Sequence, residues 1–212
     1  MGNLEEKDIL ISEEQFAALH HLNKAFHKSW QEFLKNWFPS EISMETNDIS
    51  EIAFDSFMDE NKTNDVFFMY NLNPYGPILF SLNEKLLGYI IDRSFCCEKN
   101  KTSPTKKWSE IDLFIAEKHA LQILVALYHA NQSIGVEEKL NSQLICMEER
   151  PAFVKLAEPN EKVVLLESKV TIDNVEGVFK LVIPSKKLVT SKKLNQVTKK
   201  LYIGGKQNGT KS

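Results

Sequence analysis

Cysteine, glycine and long apolar runs are what this 212-residue chain has least of. There are three cysteines, two of them adjacent (Cys96 and Cys97) and the third distant (Cys146). That spacing suits neither a disulfide framework nor a C-x-x-C metal knuckle, so reduced thiols are expected. With eight glycines and neither G-x-x-x-x-G-K nor G-x-G-x-x-G, nothing is built to cradle a nucleotide phosphate. No apolar run approaches the ~20 residues of a membrane span, and the opening MGNLEEKDIL is acidic where an export signal would be basic and then apolar. A cytoplasmic protein without an integral membrane segment is expected.

Catalytic signatures are missing too. His20, His21 and His27 share a helical stretch without a further ligand at metal spacing, and His119 and His129 stand without a nucleophile. No G-x-S-x-G occurs. The expectation is no cofactor, no metal and no enzymatic activity. The 28 residues from 185 onward hold eight lysines and no acid, which leaves −11 of formal charge for residues 1–184. The lysine pairs fall on the wet side of a helix-like pattern, so a solvated face is expected rather than a nucleic-acid site.

What is present is an average globular composition, 42% apolar and 26% charged, with 13 Phe and 3 Trp to fill a core. Ser12 to Gln15 has capping-box form, and Phe16, Leu19, Leu22, Phe26, Trp30, Phe33 and Trp37 follow at helical spacing up to Pro39. Strand-like runs cover 49–57, 65–72 and 77–80, with Asn73 to Gly76 as a tight turn. A second box, Ser81 to Glu84, opens a helix through Leu86, Ile90 and Phe95. Polar residues 96–107 form a loop near the midpoint, after which the order repeats. A helix starts from Ser109 and carries Ile111, Phe114, Leu121, Leu124, Val125 and Tyr128 on its apolar side. Strands follow at 136–147, 162–172 and 178–183, and a last helix begins at Pro184-Ser185. Gly76 to Leu86 and Gly177 to Leu188 correspond, each a turn glycine, an apolar strand, a cap and a helix. The expected fold is α/β: a mostly antiparallel sheet covered by helices on each side, a three-layer α/β/α domain with a pseudo-twofold duplication of helix, three strands, helix. Its expected span is 12–200, with a short segment at 1–11 and a basic flexible tail at 201–212.

Several strings in this order resemble the middle domain of the flagellar motor switch protein FliM family. They are Leu22-Asn23-Lys24-Ala25-Phe26, Gly76-Pro77-Ile78-Leu79-Phe80, the stretch Leu87 to Phe95, Glu110-Ile111-Asp112, and Glu176 to Pro184. The family's segments look like I-N-E-R-F, G-x-A-L-x-x-[VI]-D-x-L-F, T-x-I-E and G-E-F-N-I-C-[IL]-P. The resemblance runs from about Gln15 to Asn195. It implies the CheC-like fold and a non-enzymatic place in the motor's cytoplasmic ring, the C-ring, peripheral to the inner membrane at the flagellar basal body. It implies as partners a FliG-like protein, a FliN-like protein and further copies of this chain.

Three departures follow from the same alignment of motifs. Where the family carries a Gly-Gly-x-Gly loop that touches FliG, this chain has Cys96, Cys97, Glu98 and Lys99, our candidate partner-binding residues. A left-handed backbone there would be strained by ~1 kcal/mol or more per residue. The family's FliN-like C-terminal domain has no counterpart after residue 195. Glu6 to Ile11 echoes the CheY-docking motif but abuts the first helix, which argues against a CheY-like regulator as partner. Two alternatives share the fold: an SctQ-like ring component of a type III secretion system, and a CheC-type phosphatase. The phosphatase needs Glu and Asn one helical turn apart, whereas Glu117 is followed by Ala120 and Asn23 is preceded by His20.

Overall fold

The computed structural model describes residues 11–61, 65–72, 75–96, 108–135 and 141–190, together with Asn195 and Thr198. α1 (Glu13–Trp37) starts at a closed capping box: the Ser12 hydroxyl accepts from the Gln15 N–H and the Gln15 side chain accepts from the Ser12 N–H. α4 (Glu110–Ser133) starts in the same way on Ser109 and Asp112. Between them lie β1 (Ile42–Ala53), α2 (Phe54–Glu60), β2 (Val66–Leu72), β3 (Gly76–Leu82) and α3 (Glu84–Ser94). After α4 come β4 (Ser142–Glu148), a 3-10 turn (Pro151–Phe153), β5 (Lys162–Ile172), β6 (Val175–Pro184) and α5 (Ser185–Thr190).

The six strands form one sheet in the order β1-β5-β6-β3-β2-β4, and every ladder is antiparallel. Exchanging β1 with β4, β2 with β5 and β3 with β6 reverses this order and leaves it otherwise unchanged. That is the expected twofold, its axis passing between β3 and β6. The helices obey it as well. Leu86 of α3 lies over Gly177 of β6, and Lys187 of α5 lies over Gly76 of β3, so each half's last helix covers the other half's glycine.

The helical cover is uneven. α1, α3, α4 and α5 contribute to the larger apolar cluster with Phe68, Phe80, Val164 and Phe179 from the sheet. Trp30 and Phe26 are fully buried there and pack, tilted, against Phe179 with ring centroids at 5.0 and 5.3 Å, each large side chain contributing ~2–3 kcal/mol by burial. Among the described residues the other face carries α2 and residues 151–157, whose Phe54, Phe57, Val154 and Leu156 meet Phe67, Leu79 and Val182.

The structure corrects several expected boundaries. The strand expected at 49–57 begins at Ile42 and stops at Ala53, and Phe54 and Phe57 belong to α2. α3 is capped by Asn83, whose side chain accepts from the Leu86 N–H, while Ser81 pairs with Lys180 inside β3. Gly76 does turn the chain, at φ +76, but Gly177 lies within β6. It is required for another reason: a Cβ there would sit 2.4 Å from Leu86 Cβ and 2.6 Å from Asn83 Oδ1. Residues 97–107, 136–140 and 199–212, with the expected loop, the start of a strand run and the basic tail, lie outside the described residues.

Candidate functional site

The C-terminal ends of α1 and α3 meet the middle of α4 around one buried imidazole. His119 Nε2 lies 2.8 Å from Ser94 Oγ, which itself donates to the Ile90 carbonyl. The serine oxygen is then left to accept, which places the imidazole proton on Nε2. Trp37 packs edge-on against the ring at 5.1 Å and Phe38 lies at 6.0 Å. Burial pushes the His119 pKa down to about 4, and its Nδ1 has no hydrogen-bond partner.

A second anchor stands next to it. Asp173, in the turn between β5 and β6, adopts φ +53 and accepts from the Tyr89 hydroxyl at 2.5 Å, the Ser40 hydroxyl at 3.0 Å and the Glu41 N–H at 3.3 Å. These bonds, the tyrosine's first, hold its carboxyl below the usual carboxylate range, while burial and then Asp173 push Tyr89 up to about 12. Arg93 of α3 reaches the same Ser40 hydroxyl at 3.4 Å. The β5–β6 turn, the α1–β1 connection and α3 are thereby tied together by one carboxylate.

The surface next to these anchors is apolar and open to solvent. Trp37, edge-on to His119, is 51% exposed, and Phe95, which follows Ser94 at the end of α3, is 49% exposed. Cys96 follows Phe95, exposed and free, at φ +58, with its N–H donating to the Arg93 carbonyl. The left-handed position that glycine would take without strain is therefore real and falls on a cysteine. Cys97, Glu98 and Lys99, the rest of the expected binding set, lie outside the described residues.

α4 continues the apolar surface. Ile111 is 63% and Phe114 56% exposed, with Leu121 and Val125 further along the same side and the Lys118 ammonium 4.9 Å from the Phe114 ring centroid. These residues were expected in the core. The face that enters it instead carries Ala116, Ala120, Ile123, Leu127 and Ala130. Small side chains let α4 pack closely on α1, which runs the opposite way with Phe33 5.6 Å from His129. The helix is apolar nearly all round, the pattern of one that is covered on both sides. That excess was the available signal for the exposed stripe.

The remaining candidates are placed as follows. Asn23 is buried and its carboxamide donates to Thr46 at 2.9 Å and Ser168 at 3.4 Å, so it faces the sheet rather than a substrate. Glu117 is half-buried near Tyr70, whose hydroxyl is pushed up to about 12 by burial and then by that carboxylate. His20, His21 and His27 line a cavity of about 340 Å³ between α1 and β1, with His27 Nε2 2.7 Å from Ser168 Oγ. No group of three metal-ligating side chains exists among the described residues, and none of their helices is long and apolar enough to cross a membrane.

The family model described as "Flagellar motor switch protein FliM" matches residues 12–198. No curated protein sequence matches the chain. Among solved structures, the FliG–FliM complex from H. pylori superposes with a TM-score of 0.77 at 14% identity, covering 85% of this chain and 100% of that one. The FliM middle domain (51–229) from Vibrio alginolyticus gives 0.71 at 15%, covering 84% and 99%. FliY from Thermotoga maritima gives 0.72 at 14%, covering 91% and 99%. At these identities the superpositions show the shared fold.

Proposed function

The chain belongs to the flagellar motor switch protein FliM family, whose members are structural and not enzymes, and on that premise we propose that it binds a FliG-like partner through the Trp37–Phe95–Cys96 face. One observation carries this reading: two large aromatic side chains are half-exposed beside a buried, hydrogen-bonded pair, Trp37 edge-on against His119 and Phe95 directly after Ser94. Aromatic groups that are pre-ordered and open to water are the usual anchors of an interface. Phe95 also precedes in sequence residues 97–99, which align with the family's FliG-contacting loop. A likeness to a chain solved as a FliG–FliM complex supports the same partner.

The α4 stripe supplies the second surface, against which a neighbouring copy packs in a cytoplasmic ring at the basal body. A FliN-like protein would complete the assembly. Residues 12–200 form the unit that does this. Nothing observed favours the secretion-ring or phosphatase alternatives over this reading.

The test is calorimetric titration of the protein with a FliG middle domain. Trp37→Ala and Phe95→Ala should each weaken capture about tenfold or more, since hot-spot truncations cost ≥ 2 kcal/mol. Both side chains are half in water, so folding stability should move little. Unchanged affinity in both variants, or no capture by the parent, would overturn the assignment.

A further inference from the structure

Away from the aromatic face, the middle of α1 and the first half of β1 enclose a cavity of about 340 Å³, at the lower end of the ~300–1,000 Å³ range of small-ligand clefts. His27 stands ten residues and His20 seventeen residues before Trp37, which puts the cavity about 15–25 Å from that face along the helix. Its lining is His20, His21, Lys24, His27, Met44 and Thr46: five hydrogen-bonding side chains and one apolar one, with no carboxylate among them. His20, Lys24 and His27 fall at steps of four and three on α1, and Met44 and Thr46 alternate along β1, so each element presents one face to the cavity. The local charge runs against that of the chain. From Gln15 to Gln31 α1 holds no Asp or Glu, although residues 1–184 together carry −11. Lys24 has no ion pair among the described residues. Glu45, between Met44 and Thr46, lies on the other face of the strand and stands opposite Lys169.

The hydrogen bonds beneath the cavity leave donors, not acceptors, to be satisfied. The Asn23 carboxamide donates to Thr46 Oγ1 at 2.9 Å and to Ser168 Oγ at 3.4 Å. Both hydroxyls thus accept from below. The Thr46 proton meets no acceptor among the described residues, and the Ser168 proton goes to His27 Nε2 at 2.7 Å. His27 is buried and neutral, with its pKa lowered to about 4, so its one ring proton sits on Nδ1. We infer that this cavity binds the phosphoryl group of a small solute, either inorganic phosphate or a phosphomonoester. The Thr46 O–H, the His27 Nδ1–H and the Lys24 ammonium donate to its oxygens, His20 and His21 close the exposed side, and Met44 lies against the carbon part of a monoester. A phosphoryl group offers three strong acceptor oxygens where a carboxylate offers two, and so makes fuller use of five donor side chains.

Proton–carbon NMR of the five histidine rings in the full chain tests this, each ring assigned by a single His→Gln variant. Sodium phosphate and, separately, glycerol 3-phosphate are titrated at fixed pH and at an ionic strength held constant with NaCl. The His20, His21 and His27 signals should move together and saturate on one curve, while those of His119 and His129 stay still. Lys24→Gln should weaken that curve about tenfold, as loss of one charge-assisted bond does. Lys28→Gln, next to His27 but outside the lining, should change it less than twofold. Both lysines are exposed, and a circular dichroism melt checks that the fold is kept. Tighter saturation by glycerol 3-phosphate assigns the site to a monoester, and equal or weaker saturation by it assigns free phosphate; either supports the proposal. No saturation of the three rings by either probe overturns it. So does the same response to sodium acetate, an equal loss from Lys28→Gln, or movement of the signals only with vesicles of anionic lipid.

Discussion

Acidifying this protein from pH 8 to pH 5 should remove about 4 kcal/mol of its stability through two histidines. His27 and His119 are both buried, and burial lowers each from 6.5 to about 4. A group whose folded pKa is depressed takes up protons in the unfolded chain first. Its contribution is fully present above pH 6.5 and is lost as pH falls toward 4. Linkage at 1.36 kcal/mol per pH unit makes the loss at pH 5 about 2 kcal/mol for each ring. The geometry explains the reluctance to protonate. His119 already donates from Nε2 to Ser94 and lies between the Trp37 and Phe38 rings, so burial disfavours a second proton, and the Gln122 side chain opposes that shift without cancelling it. His27 lies against the Ser168 hydroxyl beneath α1. The assay is urea unfolding followed by fluorescence at pH 8, 7, 6 and 5, for the parent, His119→Gln, His27→Gln and the double variant. Each single variant should show roughly half the parent's pH-dependent loss, and the double variant should be nearly flat over this window. Parallel pH profiles in all four proteins, or a parent whose stability is level from pH 8 to 5, would refute the reasoning.

Four further outcomes follow. Gly177→Ala should destabilise by about 2–3 kcal/mol, because Leu86 Cβ and Asn83 Oδ1 occupy the space and α3 must shift; thermal unfolding reads the loss. Cys96→Gly should stabilise by about 1 kcal/mol, as a left-handed residue gains a conformation it can adopt freely, seen as a melting point about 2–4 °C higher. Asp173→Ala should cost about 2 kcal/mol or more by stranding the Tyr89 and Ser40 hydroxyls and the Glu41 N–H, while Asp173→Asn should recover part of it in the same denaturation experiment. Phe114→Ser, on the exposed stripe of α4, should change stability by less than about 0.5 kcal/mol yet reduce self-association in sedimentation velocity.

The features legible in the sequence are those set by local chemistry. Ser12 and Ser109 each stand three residues before a side chain that can return the bond, and both boxes close. β5 matches its expected bounds because its β-branched and apolar residues, Val163 to Leu166 and then Val170 and Ile172 in alternation with polar ones, run up to the turn at Asp173. β1 was half missed because it is an edge strand. Its outer half, with Glu45, Asn47 and Asp48, is exposed and reads as a polar connection, and only pairing with β5 makes it a strand. The α4 stripe was assigned to the core because counting apolar residues at helical spacing cannot tell a face that meets the protein from one that meets water or another chain. Gly177 was taken for a turn since its role, letting α3 approach, depends on a helix some 90 residues earlier. Trp37 and Phe95, half-exposed in the structure, look in sequence like the ends of two buried stripes.

The sheet's order means that neither half of the chain is a protein by itself. Among the described residues β1 pairs with β5 alone and β4 with β2 alone, so each half lends its outermost strand to the other. A single half could satisfy those strands only by pairing with a second copy of itself. The same interlocking makes completion of the sheet a late event in folding, since the β1–β5 ladder joins residues about 120 positions apart and must wait for the second half of the chain to be made.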